Sequence, residues 1–540
     1  METTIEQMLE KTTHNYPHHP MVVWDDQTIT YQEVQLRSDD LAIGLLDIGI
    51  KKGDAVTTWT SNIPEWILMF FALAKIGAIN VPANTRFKTS EIEYTLRHSD
   101  SRAILIMDRF LNIDFLAILN EVIPEFQRTS PGLLRNEGLP FLRHIICTQE
   151  GVSGTWSLND LELRGRKRKS ELNEKLREAK SKVVPGDPAM FQYTSGTTGF
   201  PKGAILCQGS MVRNGFYTSE RLTVTHNSRW FSAMPFYHVG GSIWGLMTCL
   251  VQGATVVTQR SFNPEEALKL LEKYKCTHQF GVDTMFISEM EHPEFDHFSI
   301  DLDVAITTGT KFLLQKIKDK MHVSAISNMW GLTETSGNVT LCDVRQDPLE
   351  KQLITVGKPH EGYEVKVADP ETGKPLSAWE RGELCVRGSM VMKGYYKMPE
   401  ETAKAIDTEG WFHSGDIGYC DDEGYYYFVG RIKDMIKVGG ENVAASEVES
   451  YLMNHPKVKL AQVVGVPDSR LSEVCLAYIE LKDGENATER ELINFCKDKI
   501  ANFKIPRYVL FISGNEWPMT GSGKIQKFLL RKRAMEVLEL

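Results

Sequence analysis

Residues 193–203 read YTSGTTGFPKG. Three glycines, one proline and four small hydroxyl residues make this stretch a poor helix and leave it nothing to pack in a core. Glycine lets a backbone approach a ligand closely, and successive N–H groups in such a turn form an anion-binding nest. Hydroxyls and one ammonium group add donors: Thr194, Ser195, Thr197, Thr198 and Lys202. The stretch therefore predicts a polyphosphate-binding loop in preference to a plain surface loop.

Two common nucleotide-binding motifs do not fit this chain. A P-loop requires GxxxxGK[ST], but Lys202 follows a proline and precedes Gly203. A second Gly-Lys pair, in TGSGKIQK at 520–527, is followed by Ile525 and so lacks the hydroxyl that would bind magnesium. No GxGxxG follows a predicted strand, which excludes the dinucleotide-binding class.

The bulk composition limits the class of protein. A chain of 540 residues exceeds a single hydrophobic core, so at least two domains are expected. The net charge of −10 argues against nucleic acid as a partner. Nine cysteines without CxxC spacing indicate reduced thiols, and no signal peptide is visible in METTIEQMLEK, so a cytoplasmic location is expected. The apolar run at 66–83 contains Lys75, which favours a buried helix feeding a strand over a transmembrane segment.

Strand-like and helical segments alternate along most of the chain, which predicts an α/β fold. The predicted strands include 55–62, 79–84, 103–108 and 254–259, and the predicted helices 265–274 and 311–321. The region after Arg431 predicts a separate small α+β module, with strands at 460–466, 474–481 and 508–513 and a helix at 489–503. We place the boundary between domains 1–431 and 432–540.

One densely charged segment, LRGRKRKSELNEKLREAKSK at 163–182, stands apart. A nucleic-acid patch is one interpretation of its basic residues. A solvated connector or exposed helix is the favoured one, because the rest of the chain is acidic.

The glycine-rich stretch resembles the signature loop of the adenylate-forming superfamily, which includes acyl-CoA synthetases, luciferases and peptide-synthetase adenylation domains. Six more segments resemble the family's motifs in family order: MPFYHVGG (234–241), TTGTKF (307–312), MWGLTETSG (329–337), WFHSGDIG (411–418), GRIKDMIKVGGENV (430–443) and WPMTGSGKIQK (517–527). The resemblance spans nearly the whole chain. It implies a large adenylation domain of several subdomains and a small mobile C-terminal domain.

The resemblance also implies a reaction and the residues that perform it. A carboxylate would attack ATP to give acyl-AMP and pyrophosphate, with Mg²⁺ present, and the thiol of coenzyme A would then displace AMP. Residues implied to bind ATP or AMP are Thr194, Ser195, Gly196, Thr197, Thr198, Lys202, Gly309, Thr310, Trp330, Gly331, Asp416 and Arg431. Residues implied in catalysis are Lys524, Thr333, His238 and Glu334, the last as the magnesium ligand. Lys433 would be the hinge, and Lys437, Gly439 and Gly440 would line the coenzyme A site.

Three positions depart from the family pattern or stay open. Trp330 replaces the usual tyrosine that stacks on adenine, and an indole should stack at least as well. Asp283 stands where many relatives have proline; it either lines the acyl pocket, which would suit a cationic acid, or caps the following helix, which is favoured. His238 either lies near the acyl carboxylate or is a structural histidine.

An acid–CoA ligase is the leading function, because no carrier domain follows the C-terminal module and Lys437 suits a nucleotide thiol. The alternatives are an adenylation enzyme that charges a carrier protein, a luciferase-like oxygenase and an inactive binding protein. The motif at 430–443 is similar to carnitine- and crotonobetaine-CoA ligases and to medium- and long-chain fatty-acid ligases, so the acid is left open. A homodimer is also left open.

Overall fold

The computed structural model describes residues 2–194, 201–521 and 523–538. Its α-helices are α1 Ile5–Asn15, α2 Tyr31–Asp47, α3 Pro64–Ile76, α4 Thr89–His98, α5 Phe115–Val122, α6 Leu158–Lys167, α7 Lys169–Ser181, α8 Gln208–Arg221, α9 Thr248–Gln252, α10 Pro264–Lys273, α11 Asp283–Met290, α12 Lys311–Lys320, α13 Leu349–Ile354, α14 Pro399–Ala405, α15 Ala445–Leu452, α16 Glu489–Cys496 and α17 Lys527–Leu538. A π-helix covers Gly240–Met247.

The strands in the same part of the chain are β1 Pro20–Trp24, β2 Gln27–Thr30, β3 Ala55–Trp59, β4 Ile79–Pro82, β5 Ala103–Ile106, β6 Arg109–Phe110, β7 Ile113–Asp114, β8 His144–Cys147, β9 Trp156–Ser157, β10 Pro188–Thr194, β11 Lys202–Cys207, β12 Arg229–Phe231, β13 Thr255–Thr258, β14 His278–Phe280, β15 Val304–Ile306, β16 Ala325–Ser327, β17 Met329–Leu332, β18 Gly337–Leu341, β19 Lys358–Pro359, β20 Tyr363–Ala368, β21 Gly382–Gly388, β22 Phe412–Cys420, β23 Tyr426–Arg431, β24 Met435–Val438, β25 Glu441–Ala444, β26 Val458–Asp468, β27 Ser472–Leu481 and β28 Tyr508–Phe511.

Two mainly parallel sheets of seven described strands each form the large part of the molecule. The first has the order β16-β15-β14-β12-β13-β1-β2, and its strands are parallel up to the antiparallel edge strand β2. The second has the order β11-β10-β4-β3-β5-β8-β9, with β11 antiparallel at its edge. Parallel strands joined by helices confirm the predicted α/β class.

The largest core cluster takes side chains from both sheets and from the helices between them. The apolar run predicted to be a buried helix feeding a strand is α3 followed by β4, as expected. Trp66, Phe70 and Phe71 of α3 are almost completely buried in that cluster. Among the described residues, no helix is both long and apolar enough to cross a membrane.

Smaller sheets follow along the chain. β17, β18 and β19 form one antiparallel sheet, and β20 to β23 form another. The last sheet has the order β25-β24-β27-β26, with β28 parallel to β27, and is covered by α15, α16 and α17. This is the predicted α+β module; the boundary at 431/432 stays a prediction.

The helix predicted at 489–503 is wrong in length, because α16 ends at Cys496. Lys497 has an extended backbone and Asp498 a positive φ of 58°, and neither conformation continues a helix. A short 3₁₀ turn at Asn502–Lys504 covers the rest of the predicted span.

The charged segment 163–182 forms the second half of α6 and the whole of α7, two helices packed on α2. Several basic side chains of this segment form ion pairs with acidic residues. Arg166 and Lys169 both pair with Asp40, at 3.0 and 2.9 Å, and Lys180 pairs with Asp39 at 2.9 Å. The favoured interpretation, an exposed helix, agrees with this arrangement.

The same region contains a buried cation whose removal tests the packing of the N-terminal helices. Lys75 is fully buried and lies 3.2 Å from Glu6 and 2.8 Å from Asp39. Lys75→Met should lower the free energy of unfolding by about 3 kcal/mol, because the buried Glu6 and the partly buried Asp39 lose one of their two cations and keep only Lys180. Urea titration followed by fluorescence measures it. Lys182→Met, which breaks the exposed pair with Glu178, should change it by less than about 0.5 kcal/mol, and an equal loss in both variants would contradict this account.

Candidate active site

Three of the motif segments, and the segment that contains Asp283, follow strands at one edge of the first sheet. Segment 234–241 follows β12, segment 281–284 follows β14, segment 307–310 follows β15, and segment 329–334 follows β16. These strands are parallel neighbours, so their carboxyl ends, and the loops that leave them, lie side by side. The carboxyl edge of a parallel sheet is the usual place for a ligand in such folds.

The glycine-rich loop connects β10 to β11 at the edge of the second sheet. Thr194 and Lys202 face each other across this antiparallel pair. Ser195, Gly196, Thr197 and Thr198 lie outside the described residues, so their assigned role in binding phosphate stays a prediction.

Lys202 is held from two sides. Its Nζ lies 2.6 Å from Glu401 Oε2 and 5.0 Å from the centre of the Tyr395 ring. Segment 393–396 pairs with β11, through Ala204 with Tyr395 and through Tyr396 N donating to Gly203 O at 2.8 Å. The tyrosine is thereby fixed beside the signature lysine.

Glu334, the predicted magnesium ligand, is a buried carboxylate. Tyr395 Oη donates to its Oε1 at 2.8 Å. Burial raises the pKa of Glu334, while the tyrosine hydrogen bond and the nearby charges of Arg431 and Lys202 act against this rise. A buried carboxylate of this kind fits a hard divalent cation, which prefers oxygen ligands.

Asp416 and Arg431 are register partners on β22 and β23. Asp416 Oδ2 accepts a hydrogen bond from Trp330 Nε1 at 2.8 Å, and Arg431 Nε lies 3.3 Å from Oδ1. Oδ1 is buried and has no hydrogen-bond partner in the described chain. Burial raises the pKa of Asp416, and Arg431 opposes the rise. A buried acceptor that lacks a donor fits the hydroxyl of a bound ribose.

Trp330 therefore has a role that the sequence did not indicate. The hydrogen bond from its indole N–H fixes the orientation of the Asp416 carboxylate. Trp330 is only 4% exposed and belongs to the core cluster that contains Val339, Val356 and Tyr363. Stacking of this ring on adenine stays a prediction.

The turn that presents Asp416 rests on a second carboxylate. Glu383 Oε1 accepts from Gly415 N at 2.9 Å, and Glu383 Oε2 lies 2.8 Å from His413 Nδ1. Ser414 Oγ donates to Leu384 O at 2.6 Å. Gly415 has a φ of 70°, a conformation that glycine adopts without steric cost. These hydrogen bonds fix the backbone of the turn at residues 414–416.

His238 carries its proton on Nε2. Its Nδ1 accepts a hydrogen bond from Gly240 N at 3.1 Å, which requires that nitrogen to be unprotonated. Burial, with a contribution from Lys524, lowers the pKa of His238 to about 4, so the ring is neutral near pH 7. A neutral ring with Nε2–H as donor can bind a carboxylate oxygen, which favours the active-site interpretation over the purely structural one.

Lys524 comes from the far end of the chain and enters this cleft on a hairpin. Thr520 N donates to Lys524 O at 2.8 Å, and Met519 pairs with Ile525. A Cβ on Gly521 would lie 2.3 Å from Tyr237 Oη and 2.7 Å from Asn84 Oδ1, so the hairpin fits the large domain only without a side chain there.

The Lys524 side chain is exposed to solvent, and protein charges from several segments act on its ammonium group. Desolvation of that group and the charge of the neighbouring Arg431 lower its pKa to about 8, while Asp416 acts in the opposite direction. Lys524 in turn affects the pKa of both Asp416 and His238. Groups from three separate motifs are thus brought together.

Asp283 is the first residue of α11; the N-cap is Val282, so the helix-cap interpretation is off by one position. Its Oδ1 accepts from Thr284 N at 2.8 Å. The added Cβ of Gly523 would lie 3.4 Å from Val282 and 3.6 Å from Thr284. Asp283 therefore lies where the lysine hairpin is seated.

The predicted adenine residues lie at the same edge. Thr310 is the N-cap of α12 and accepts from Leu313 N at 3.3 Å, and Gly309 O accepts from Asn328 Nδ2 at 3.4 Å. Gly331 has no room for a Cβ, which would lie 2.3 Å from Gly337 O. Thr333 begins a 3₁₀ turn that also contains Glu334.

The predicted hinge residue lies near this cluster, because the charge of Lys433 helps to lower the pKa of Lys524. Lys433 is exposed in a 3₁₀ turn, and Lys437 is exposed on β24. Gly439 and Gly440, with φ values of 59° and 93°, form the two-residue turn between β24 and β25, where a pair of positive φ values suits a hairpin. Lys524, and not this hairpin, occupies the cleft.

Three contributors escaped the sequence reasoning: Tyr395, Glu401 and Glu383. Each acts by approaching a motif residue from a distant segment, and none belongs to a recognisable spacing pattern. The helix start MPEET, a proline followed by acidic residues, was the available signal for Glu401.

Comparisons with known proteins agree with this geometry. The model of the AMP-binding enzyme family matches residues 9–396, and that of the AMP-binding enzyme C-terminal domain matches 447–524. The acyl-CoA synthetase YngI of Bacillus subtilis (strain 168) is 39% identical over 547 residues, which cover 100% of this chain and 98% of YngI. The mitochondrial medium-chain acyl-CoA ligase ACSF2 of Danio rerio is 36% identical over 549 residues, covering 100% of this chain and 89% of that protein.

Solved structures share the fold across the whole chain. The crystal structure of the anthranilate CoA ligase AuaEII in complex with anthranoyl-AMP has a TM-score of 0.85 at 25% identity, covering 100% of this chain and 98% of that one. A Mycobacterium tuberculosis fatty acyl CoA synthetase has a TM-score of 0.69 at 26% identity and covers 99% of both chains. The chain therefore belongs to the AMP-binding enzyme family, within the adenylate-forming acyl-CoA synthetases. The predicted family is confirmed, and the protein is an AMP-forming acyl-CoA ligase.

The pKa of Lys524 predicts an alkaline limit on adenylation. An ammonium with a pKa near 8 loses its proton as pH rises through that value, so kcat/KM for ATP should fall above about pH 8. Acid-dependent pyrophosphate release measured from pH 6 to 10 tests this. Lys524→Arg should be slower at every pH but lack the fall, because arginine stays charged; the same fall in this variant would assign it to another group.

The close contact of Gly521 with Tyr237 and Asn84 predicts that a side chain at position 521 impairs only the adenylation half-reaction. Gly521→Ala should slow adenylation about 100-fold, since its methyl group would displace Lys524 from its position. Thioester formation from supplied acyl-AMP should be retained. Gly186→Ala is the matched control, because a Cβ there meets nothing within 4 Å. Equal losses in both half-reactions of Gly521→Ala would contradict the proposed seat.

Proposed function

We propose that this ligase activates a medium-chain fatty acid: ATP and the acid give acyl-AMP and pyrophosphate, and coenzyme A then displaces AMP. The convergence of Lys524, Asp416 and His238 in one cleft carries the proposal, because each comes from a different motif and each suits a different part of an acyl-adenylate.

In the first half-reaction, most of the catalysis is positioning and charge neutralisation. Asp416 Oδ1 accepts from the ribose, with its carboxylate oriented by Trp330. Lys202 neutralises the outer phosphates, and Thr333 lies near the α-phosphate. Glu334 would hold Mg²⁺, which supplies further neutralisation of the phosphate oxygens when bound.

The acid approaches from the side of His238. The Nε2–H of the neutral ring donates to one carboxylate oxygen and so orients the nucleophile. Lys524 lies between that carboxylate and the α-phosphate, where its ammonium can follow the negative charge as the new bond forms. Pyrophosphate is the leaving group.

In the second half-reaction, Lys524 has to leave so that a thiol can reach the acyl carbon. We propose that rotation at Lys433 withdraws the lysine hairpin and brings in the β24–β25 turn. Gly439 and Gly440, having no side chains, would then allow pantetheine to pass close to the backbone, and Lys437 would bind a phosphate of coenzyme A.

A fatty acid is preferred over a carnitine-like acid for two reasons. The side chains around His238 are apolar: a Cβ on Gly240 would lie 2.9 Å from Met234 Cε and 3.3 Å from Phe280, and Trp244 packs edge-on against Phe280 at 5.3 Å. Asp283, the counter-ion that the sequence suggested for a cationic acid, lies beside the lysine hairpin, where Lys524 acts on its pKa. Medium chain length is supported by the likeness to ACSF2. A cytoplasmic location and a homodimer stay predictions.

The test is AMP and acyl-CoA formation across carboxylic acids from acetate to palmitate, with carnitine and γ-butyrobetaine included, each with and without coenzyme A. We expect kcat/KM to rise about fourfold per methylene, from about 0.8 kcal/mol of burial each, and to be highest between hexanoate and dodecanoate. Preference for carnitine would contradict the fatty-acid assignment. Adenylation that ignores coenzyme A would indicate transfer to a carrier protein.

Lys524 itself is tested by separating the two half-reactions. Lys524→Ala should reduce acyl-AMP formation about 100- to 1,000-fold, because a charge aimed at the transition state is lost. Its conversion of supplied acyl-AMP and coenzyme A to acyl-CoA should stay within about twofold of wild type. If both half-reactions fall together, the role assigned to Lys524 is wrong.

A further inference from the structure

We propose that Glu401 is the resident counter-ion of Lys202 and competes with pyrophosphate for this lysine, which eases departure of the product. The inference rests on the proposed role of Lys202 in binding the outer phosphates of ATP. It assigns a task to a side chain that lies outside the motif segments.

The ion pair is direct and partly buried. Lys202 Nζ lies 2.6 Å from Glu401 Oε2, and the two side chains are 18% and 27% exposed. The other oxygen, Oε1, lies 2.7 Å from Nζ of Lys404, which is 71% exposed. Hydrogen bonding to both lysines lowers the pKa of Glu401 to about 2, so the group is a carboxylate at any working pH.

The backbone fixes Glu401 beside the signature lysine. It lies in the first turn of α14, and the next residue, Thr402, accepts from Tyr395 N through its Oγ1 at 2.8 Å. Tyr395 pairs with Ala204 on β11, the strand that begins with Lys202. The backbone contacts of Tyr395 with Thr402 and with Ala204 therefore hold Glu401 and Lys202 close to each other.

The charges explain why this carboxylate weakens anion binding. A polyphosphate that uses Lys202 must share the ammonium with Glu401 or displace it, and two anions at one cation repel each other. Glu401 therefore lowers the affinity for ATP and for pyrophosphate alike. When pyrophosphate leaves, a partly buried ammonium without a partner would be costly, and Glu401 supplies that partner.

Glu401 should affect the release of pyrophosphate more than the binding of ATP. On the proposed function, ATP also has its nucleoside to hold it, through the ribose contact to Asp416, which Glu401 does not affect, whereas pyrophosphate depends on the phosphate contacts alone. Competition by Glu401 therefore removes a larger share of the binding free energy of pyrophosphate than of the binding free energy of ATP.

The experiment compares Glu401→Gln with Glu400→Gln. Glu400 lies in the same helical turn and carries the same charge, but the described structure shows no ion pair between it and Lys202. Isothermal titration with Mg²⁺-pyrophosphate, and separately with Mg²⁺-ATP, gives the dissociation constants. Glu401→Gln should bind Mg²⁺-pyrophosphate about tenfold more tightly, equivalent to about 1.4 kcal/mol, and Glu400→Gln should change it by less than about twofold.

Kinetics separate this role from a structural one. In Glu401→Gln, single-turnover acyl-AMP formation should keep its wild-type rate while steady-state kcat falls and inhibition by added pyrophosphate strengthens. Lys404→Met, which frees Glu401 for Lys202 alone, should shift the dissociation constant in the opposite direction by about twofold. A merely structural role would slow every step and change no product inhibition.

Two results would overturn the inference: pyrophosphate binding that is unchanged in Glu401→Gln, or binding that is weaker. Weaker binding would mean that Glu401 orients Lys202 toward the phosphates. The wild-type titration distinguishes this from failure of the proposed function, because wild-type protein that binds neither Mg²⁺-ATP nor Mg²⁺-pyrophosphate would refute the role of the signature loop itself.

Discussion

The seating of the 520–524 hairpin against Tyr237 and Asn84 is the contact on which the active site depends. It carries one cation across from the C-terminal sheet to the carboxyl edge of the first sheet, beside Asp416 and His238. Without it, Asp416 and His238, the residues proposed to bind the ribose and the acid, would lack the ammonium group of Lys524 beside them. The absence of a Cβ at Gly521 is what allows the approach.

The electrostatics of the cleft follow from that arrangement. Two buried carboxylates, Glu334 and Asp416, have raised pKa values because burial outweighs their partners. Lys524 has a lowered pKa for the same reason, with Arg431 adding to the effect. For each of these groups, the partners in the protein offset only part of the cost of burying its charge. A bound nucleotide and a bound cation would offset the rest. Perturbed pKa values of this kind are common where a site is built for its substrate.

Much of this was readable from the sequence because the motif residues are local in the chain. The α/β class, the buried helix α3 and the groups Glu334, Asp416 and Lys524 come from short segments with defined residue types. The supporting residues could not be read in the same way. Tyr395 reaches Glu334, Glu383 reaches Gly415 and Glu401 reaches Lys202 only after the chain has folded, so their separations in sequence carry no pattern.

Two local expectations failed for physical reasons that composition does not reveal. The helix at 489–503 looked continuous in its apolar spacing, yet Asp498 takes a left-handed backbone and the helix ends at Cys496. Asp283 looked like a helix cap, yet the helix begins at Asp283 itself and its carboxylate lies at the hairpin seat. In both places, the backbone conformation at one or two residues decided where the helix begins or ends, and the apolar spacing does not show it.

The most direct test of the central claim is the reactivity of Lys524 toward an amine-acylating reagent at pH 8, measured by peptide mass spectrometry with and without Mg²⁺-ATP. A lysine with a pKa near 8 in the nucleotide cleft should react faster than exposed lysines outside the cleft such as Lys182, and Mg²⁺-ATP should protect it. Labelling of Lys524 at the rate of the exposed lysines, with no protection by Mg²⁺-ATP, would contradict its placement in the active site.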